Sequence, residues 1–171
     1  MVILRFLQSF LDIALWRKGP QDLPASRFLA TLALIAYLGT GFVRMRLFAL
    51  DQSTALLFIC VDALMLGAWL WLVLAFFGRR QRFVQTITAL LGVGLLVLLL
   101  DVTIRSMQLA LGWSDEVSIN WVRLRFLITA LVLGRIFMLA LDRSLITGIG
   151  LTVAIIYSTH AVAQLMLNLR S

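Results

Sequence analysis

Four ionisable side chains stand inside long apolar runs of this sequence: Asp62, Asp101, Arg135 and His160. A charge at bilayer depth costs several kcal/mol unless it faces protein or water and finds a partner, so each of these residues asks for an explanation. Counting from the ends of their apolar runs at about 1.5 Å per residue, Asp62 and His160 both lie roughly 12 Å deep from the same side. The matched depth predicts that they approach each other across two helices. As a hydrogen-bonded pair they would fix helix register. As a titrating pair they would form a proton or ion site, because a nearby carboxylate draws the histidine charge change towards neutral pH.

Asp101 has Arg105 one helical turn further on, and the i, i+4 spacing predicts a local ion pair near the interface. Arg135 is deeper in its run and has no obvious partner at its level. It can reach towards Asp142, a lipid phosphate or another protein.

The motifs of catalysis are missing. No HExxH, CxxC, GxSxG, phosphate-binding loop or glycine-rich dinucleotide fingerprint occurs. Cys60 and His160 are single residues of their type, both in apolar runs, where burial leaves a thiol inert. A zinc site would need several carboxylates at one depth. The expectation is therefore a protein that is not an enzyme, with no cofactor and no metal.

These residues must be carried by membrane-spanning helices. The chain has 62% hydrophobic and 13% charged residues, against about half and a quarter in a typical soluble domain. The net charge of +7 does not form a nucleic-acid patch. The basic residues punctuate the apolar runs at Arg17-Lys18, Arg44 and Arg46, Arg79, Arg80, Arg82 and Arg143, which is the spacing of anchors at lipid headgroups. Trp16, Arg17, Lys18, Arg79, Arg80 and Arg82 are read as those anchors, and no nucleic-acid partner is expected.

Five apolar stretches are long enough to cross a bilayer, which takes about 20 residues. They run from about Phe28 to Leu47, Thr54 to Phe77, Phe83 to Ile104, Trp121 to Leu141 and Leu145 to Leu167. The fourth is the weakest because it carries Arg123, Arg125 and Arg135, so four spans with a half-inserted hairpin is the alternative. The polar segment 112–120, bracketed by Trp113 and Trp121, reads as the connection before it. The fold class expected is an all-α, polytopic membrane helical bundle.

The bundle is preceded by an amphipathic helix over residues 1–18. Its polar residues Arg5, Gln8, Ser9 and Asp12 form one stripe, so it is expected to lie in the interface, with packing on the bundle as the alternative. Residues 19–27 form a loop holding both prolines, with Ser26 as the N-cap of the next helix. Residues 28–171 make a single transmembrane domain.

Loop charge favours a cytoplasmic N-terminus. Arg5, Arg17, Lys18, Arg27, Arg79, Arg80, Arg82 and Arg143 then lie inside. Arg44, Arg46, Arg105 and Arg170, with Arg123 and Arg125, lie outside beside Asp115 and Glu116. The arginine-rich composition is compatible with a GC-rich bacterial genome, so a bacterial inner membrane is the expected location.

The fifth span carries a stripe of small residues, Thr147, Gly150, Ala154, Ser158 and Ala161, with Ala63/Gly67 and Ala130/Gly134 repeating the theme elsewhere. Small residues let backbones approach where lipid removes the hydrophobic incentive to pack. The stripe is expected to pack within the chain, or else to dock another membrane protein or a second copy. Together these features predict a non-catalytic accessory, scaffold or assembly subunit. The alternative is a small oligomeric transporter or channel for protons, ions or a solute, using Asp62, His160 and Arg135.

Overall fold

The computed structural model describes residues 2–112 and 115–168, with side chains at 6–112, 119–166 and 168. The sequence readings at Trp113 and Arg170, and those resting on the side chains of Arg5, Asp115 and Glu116, lie outside these residues. Six helices account for almost all of the described chain, and no strand occurs among those residues. They are α1 (Val2–Ala14), α2 (Arg27–Leu47), α3 (Gln52–Phe76), α4 (Phe83–Leu111), α5 (Asp115–Leu141) and α6 (Leu145–Asn168).

Helices α2 to α6 are long and apolar enough to cross a bilayer. The fold is a five-span membrane bundle. The hairpin alternative is set aside because α5 is continuous through its three arginines. The polar segment between the third and fourth spans is also shorter than expected, since α4 runs to Leu111 and α5 begins at Asp115. Twenty-nine residues of α4 extend about 43 Å, well past a hydrocarbon core of about 30 Å, so both helices continue into the polar region.

The helix ends carry ordinary punctuation. Ser26 caps α2 by accepting from the Leu29 amide at 3.3 Å, as expected. Asp51 caps α3 by accepting from the Thr54 amide at 3.0 Å. Hydrogen bonds from Ser53 and Thr54 hold the Asp51 carboxyl below the usual carboxylate range. Gly112 ends α4 in the left-handed region at φ 62°, where a side chain would be strained.

Packing closes the five spans into a ring in the order α2, α3, α6, α5, α4, with α4 returning to α2. α4 also touches α3 and is the most enclosed helix. Inside lipid, close backbone approach rather than apolar burial drives such contacts. At the α5–α6 crossing, Gly134 has the backbone nitrogen of Ile149 only 2.9 Å from where a Cβ would sit, and a Cβ at Gly148 would overlap the Gly134 carbonyl oxygen.

α1 packs onto the bundle. Phe10 and Ile13 are buried, and the Phe10 ring occupies the space a Cβ would take at Gly92, in the first half of α4. The following loop is part of the same core: Leu23 is buried, and Gln85 Nε2 donates to its carbonyl at 2.9 Å. α1 is thus a helix seated on α4, as the alternative reading has it. The small notch at Gly92 gives the aromatic ring a better surface than a flat helix face would.

Candidate functional site

Two ends of the ring differ in what their connections carry. One end holds the α3–α4 and α5–α6 connections. The other holds the α2–α3 and α4–α5 connections and is the end from which the polar residues are measured. Tyr37, Asp62, Asp101 and Arg125 each lie ten residues from that end of their own helices, on α2, α3, α4 and α5. At about 1.5 Å per residue they share a depth of roughly 15 Å.

Asp101 is the hub. Its side chain is 5% exposed, yet both carboxylate oxygens are engaged. Oδ1 accepts from Trp121 Nε1 at 2.7 Å, and Oδ2 meets Arg44 Nε and Arg125 Nη1, the latter at 3.6 Å. One carboxylate therefore ties α4 to α2 and α5 and faces two guanidinium groups. The expected Asp101–Arg105 pair does not form. Arg105 instead lies over the Phe48 ring at 4.9 Å and donates to Gln108 at 3.4 Å, leaving Asp101 to partners on other helices.

Asp62 takes its hydrogen bond from the Tyr37 hydroxyl. Tyr37 reaches it because its ring lies against Gly94 of α4, where a Cβ would stand 2.8 Å from the tyrosine Cε2. His160 has its side-chain contact with Gln164, at 3.5 Å between Nε2 atoms. Asp62 and His160 thus share a site without a hydrogen bond between them.

What they share is a cavity of about 460 Å³ inside the ring, lined from all five spanning helices. Its polar wall is Tyr37, Arg44, Asp62, Arg125, Thr159 and His160. Its apolar wall continues towards the other end through Leu90, Leu133 and Phe137. Arg125 Nε is buried and has no hydrogen-bond partner among the described residues.

Arg135 is not on this wall. It stacks over the Trp16 ring at 4.9 Å, joining α5 to the segment after α1, and its buried Nη1 has no acceptor among the described residues. Of the three residues that the sequence reading assigned to one pathway, Asp62 and His160 line this cavity and Arg135 does not. Six residues from the opposite end of α5, it stands on the other half of the bundle.

The headgroup anchors are largely occupied by protein. Lys18 and Arg17 meet Asp12 at 2.8 and 4.0 Å. Arg79 and Arg82 meet Asp142 at 2.8 and 3.1 Å, and Arg82 also donates to the carbonyls of Leu139 and Ala140 at the end of α5. The Arg82 hydrogen bond, with Arg79 nearby, holds the Asp142 carboxyl below its usual range. Arg80 lies over Trp71 at 5.4 Å.

The small-residue stripe on α6 is also displaced from its expected role. Thr147, Gly150, Ala154 and Ala161 are exposed and Ser158 is half-buried, whereas the face of α6 that packs carries Gly148, Thr152, Ile155 and Ala163. Gly67 likewise meets nothing, while Ala130 and Gly134 are buried at the α5–α6 contact. The expectation of packing within the chain is corrected for the stripe. One register of the helix away, Gly148 makes the closer crossing.

Sequence reasoning missed Tyr37, Arg44, Arg125 and Trp121. Arg44 reads as a snorkelling end residue, and Arg125 reads as a weakness of its span. The common depth of Tyr37 and Arg125 with Asp62 and Asp101 is the signal that could have found those two; Arg44 and Trp121, nearer their helix ends, gave none. Comparison with known protein families, curated proteins and solved structures finds no match, so the geometry of the site carries the functional reading.

Proposed function

We propose that this membrane protein binds a small ligand in the cavity lined by its five spans and moves it across or within the bilayer as a small transporter. The observation that supports this is the cavity itself. About 460 Å³ falls in the size range of ligand sites, roughly 300–1,000 Å³. Its mixed wall has the make-up of such sites, with apolar surface and a few convergent polar groups. A bundle serving only as packing material would fill that space with side chains.

In this reading Asp62 and Tyr37 form one polar lip, and Arg44 and Arg125, held from behind by Asp101, form the other. Thr159 and His160 complete the wall from α6. Purified protein in lipid vesicles, with radiolabelled solutes of differing charge outside, tests the proposal. Uptake above empty vesicles that falls at least tenfold in Asp62→Asn supports transport through the cavity. No binding and no uptake with any solute class would end it.

A second reading, an accessory or assembly subunit docking another membrane protein or a second copy, draws on the exposed α6 stripe. Copurification of a stable partner that is lost on Gly150→Leu would favour it. For location, the arginine-rich composition is what favours a bacterial inner membrane, the charge bias of the connections favours a cytoplasmic N-terminus, and cysteine labelling of the 79–82 connection from either side tests the orientation.

A further inference from the structure

We infer that the cavity takes a single-chain amphiphile with an anionic head, a carboxylate or phosphate on one short alkyl chain. The inference rests on the cavity being a ligand site and adds the chemistry of the ligand.

The head follows from donor arithmetic. Each guanidinium carries five N–H donors. Arg44 and Arg125 stand together on the cavity wall, and the carboxylate they share, Asp101, already accepts from Trp121 as well. Most of their donors therefore have no protein acceptor, and Arg125 Nε is buried without one. The carboxylate that is on the wall, Asp62, accepts from Tyr37. An anion placed against Arg125 and Arg44 would accept those donors in a water-poor setting, where charge-assisted hydrogen bonds are strongest. Thr129 and Thr159 add hydroxyl groups to the same wall.

The tail follows from the rest of the cavity. Leu66, Leu90, Leu133, Phe137 and Ile155 give a wall with no charge to meet, so a purely polar anion would leave that surface unused. At about 30 Å³ per small group, the share of one water in the liquid, the volume holds roughly fifteen heavy atoms. That matches one chain of about a dozen carbons with its head.

The test uses the full chain in nanodiscs of phosphatidylcholine and four probes: dodecanoate, dodecyl phosphate, dodecanol and inorganic phosphate. Calorimetric titration should show both anionic amphiphiles binding at least about tenfold tighter than dodecanol, a difference of about 1.4 kcal/mol, with no binding of inorganic phosphate. Arg125→Gln should abolish that preference while leaving dodecanol binding unchanged. Should Arg125→Gln fail to fold, Leu133→Trp tests the tail instead, weakening dodecanoate and strengthening the preference for octanoate. Dodecanol binding as tightly as dodecanoate would overturn the anionic head yet leave the cavity a ligand site. Inorganic phosphate binding as tightly as dodecyl phosphate would overturn the tail. Displacement of dodecanoate when phosphatidylglycerol is added to the bilayer would overturn the single-chain assignment in favour of a lipid headgroup. Binding of none of the four would overturn both the inference and the cavity reading, and solutes of other classes bound in their place would overturn the inference alone.

Discussion

At the α3–α4 end of the ring, Asp142 is 50% exposed and pairs with Arg79 and Arg82, side chains that are themselves about one-third exposed. Ten residues in from the other end, Asp101 is 5% exposed and pairs with Arg44 and Arg125. The same ionic chemistry serves different ends at the two depths. Ion pairs that water reaches contribute about 0–1 kcal/mol, and their use here is to join connections and cover the last carbonyls of α5. A buried pair gains little net stability over an apolar replacement, but its disruption is costly because a charge is left without a partner. The first arrangement tolerates change. The second makes the cavity wall depend on every member.

The comparison breaks most sharply at Asp101. Asp101→Ala leaves Arg44 and Arg125 facing each other without a carboxylate, and the expected loss is about 3–5 kcal/mol. Unfolding in mixed micelles should show the lower midpoint, together with loss of ligand binding. Gly148→Leu tests the packing that closes the α5–α6 side of the ring. The side chain must push the helices apart, costing about 1–3 kcal/mol or more, and the same unfolding assay reads it. Tyr37→Phe leaves the half-buried Asp62 carboxylate without its donor and should cost about 1 kcal/mol, with altered ligand affinity measured by titration.

Arg82→Gln sharpens the contrast from the other side. It should lower stability by no more than about 1 kcal/mol and leave ligand affinity unchanged. The smallest effect concerns pH. The Asp142 carboxyl titrates below its usual range when folded, so its contribution is fully present above the ordinary carboxylate pKa of about 3.9. It is lost as pH falls through the lowered folded value. Asp142→Asn should flatten that acid limb in a series of unfolding midpoints, and an unchanged limb would separate the staple from acid sensitivity.

The five spans were legible because each long apolar run can satisfy its backbone only as a helix. Asp62, Asp101 and His160 were legible as residues needing partners, because charge at that depth is expensive. The identity of the partners was not. Asp101 had a local candidate in Arg105, and spacing along one helix says nothing about which face a neighbouring helix presents. Arg44 was hidden by being an arginine near a span end, where snorkelling is the ordinary reading, and Arg125 by reading as a weakness of its span. The α6 stripe misled for a related reason: small residues recur every three or four positions on two faces of that helix, and only the packed structure separates Gly148 from Gly150.

The α3–α6 contact carries a consequence for biogenesis. These two helices are neighbours in the ring although α4 and α5 lie between them in the chain, so the enclosure cannot shut until the last helix has entered the bilayer. Until then Asp62 and Arg44 look onto lipid through a gap. The nascent protein therefore passes through a stage in which its costliest groups are open sideways, and the insertion machinery or a chaperone would have to shield them until α6 arrives.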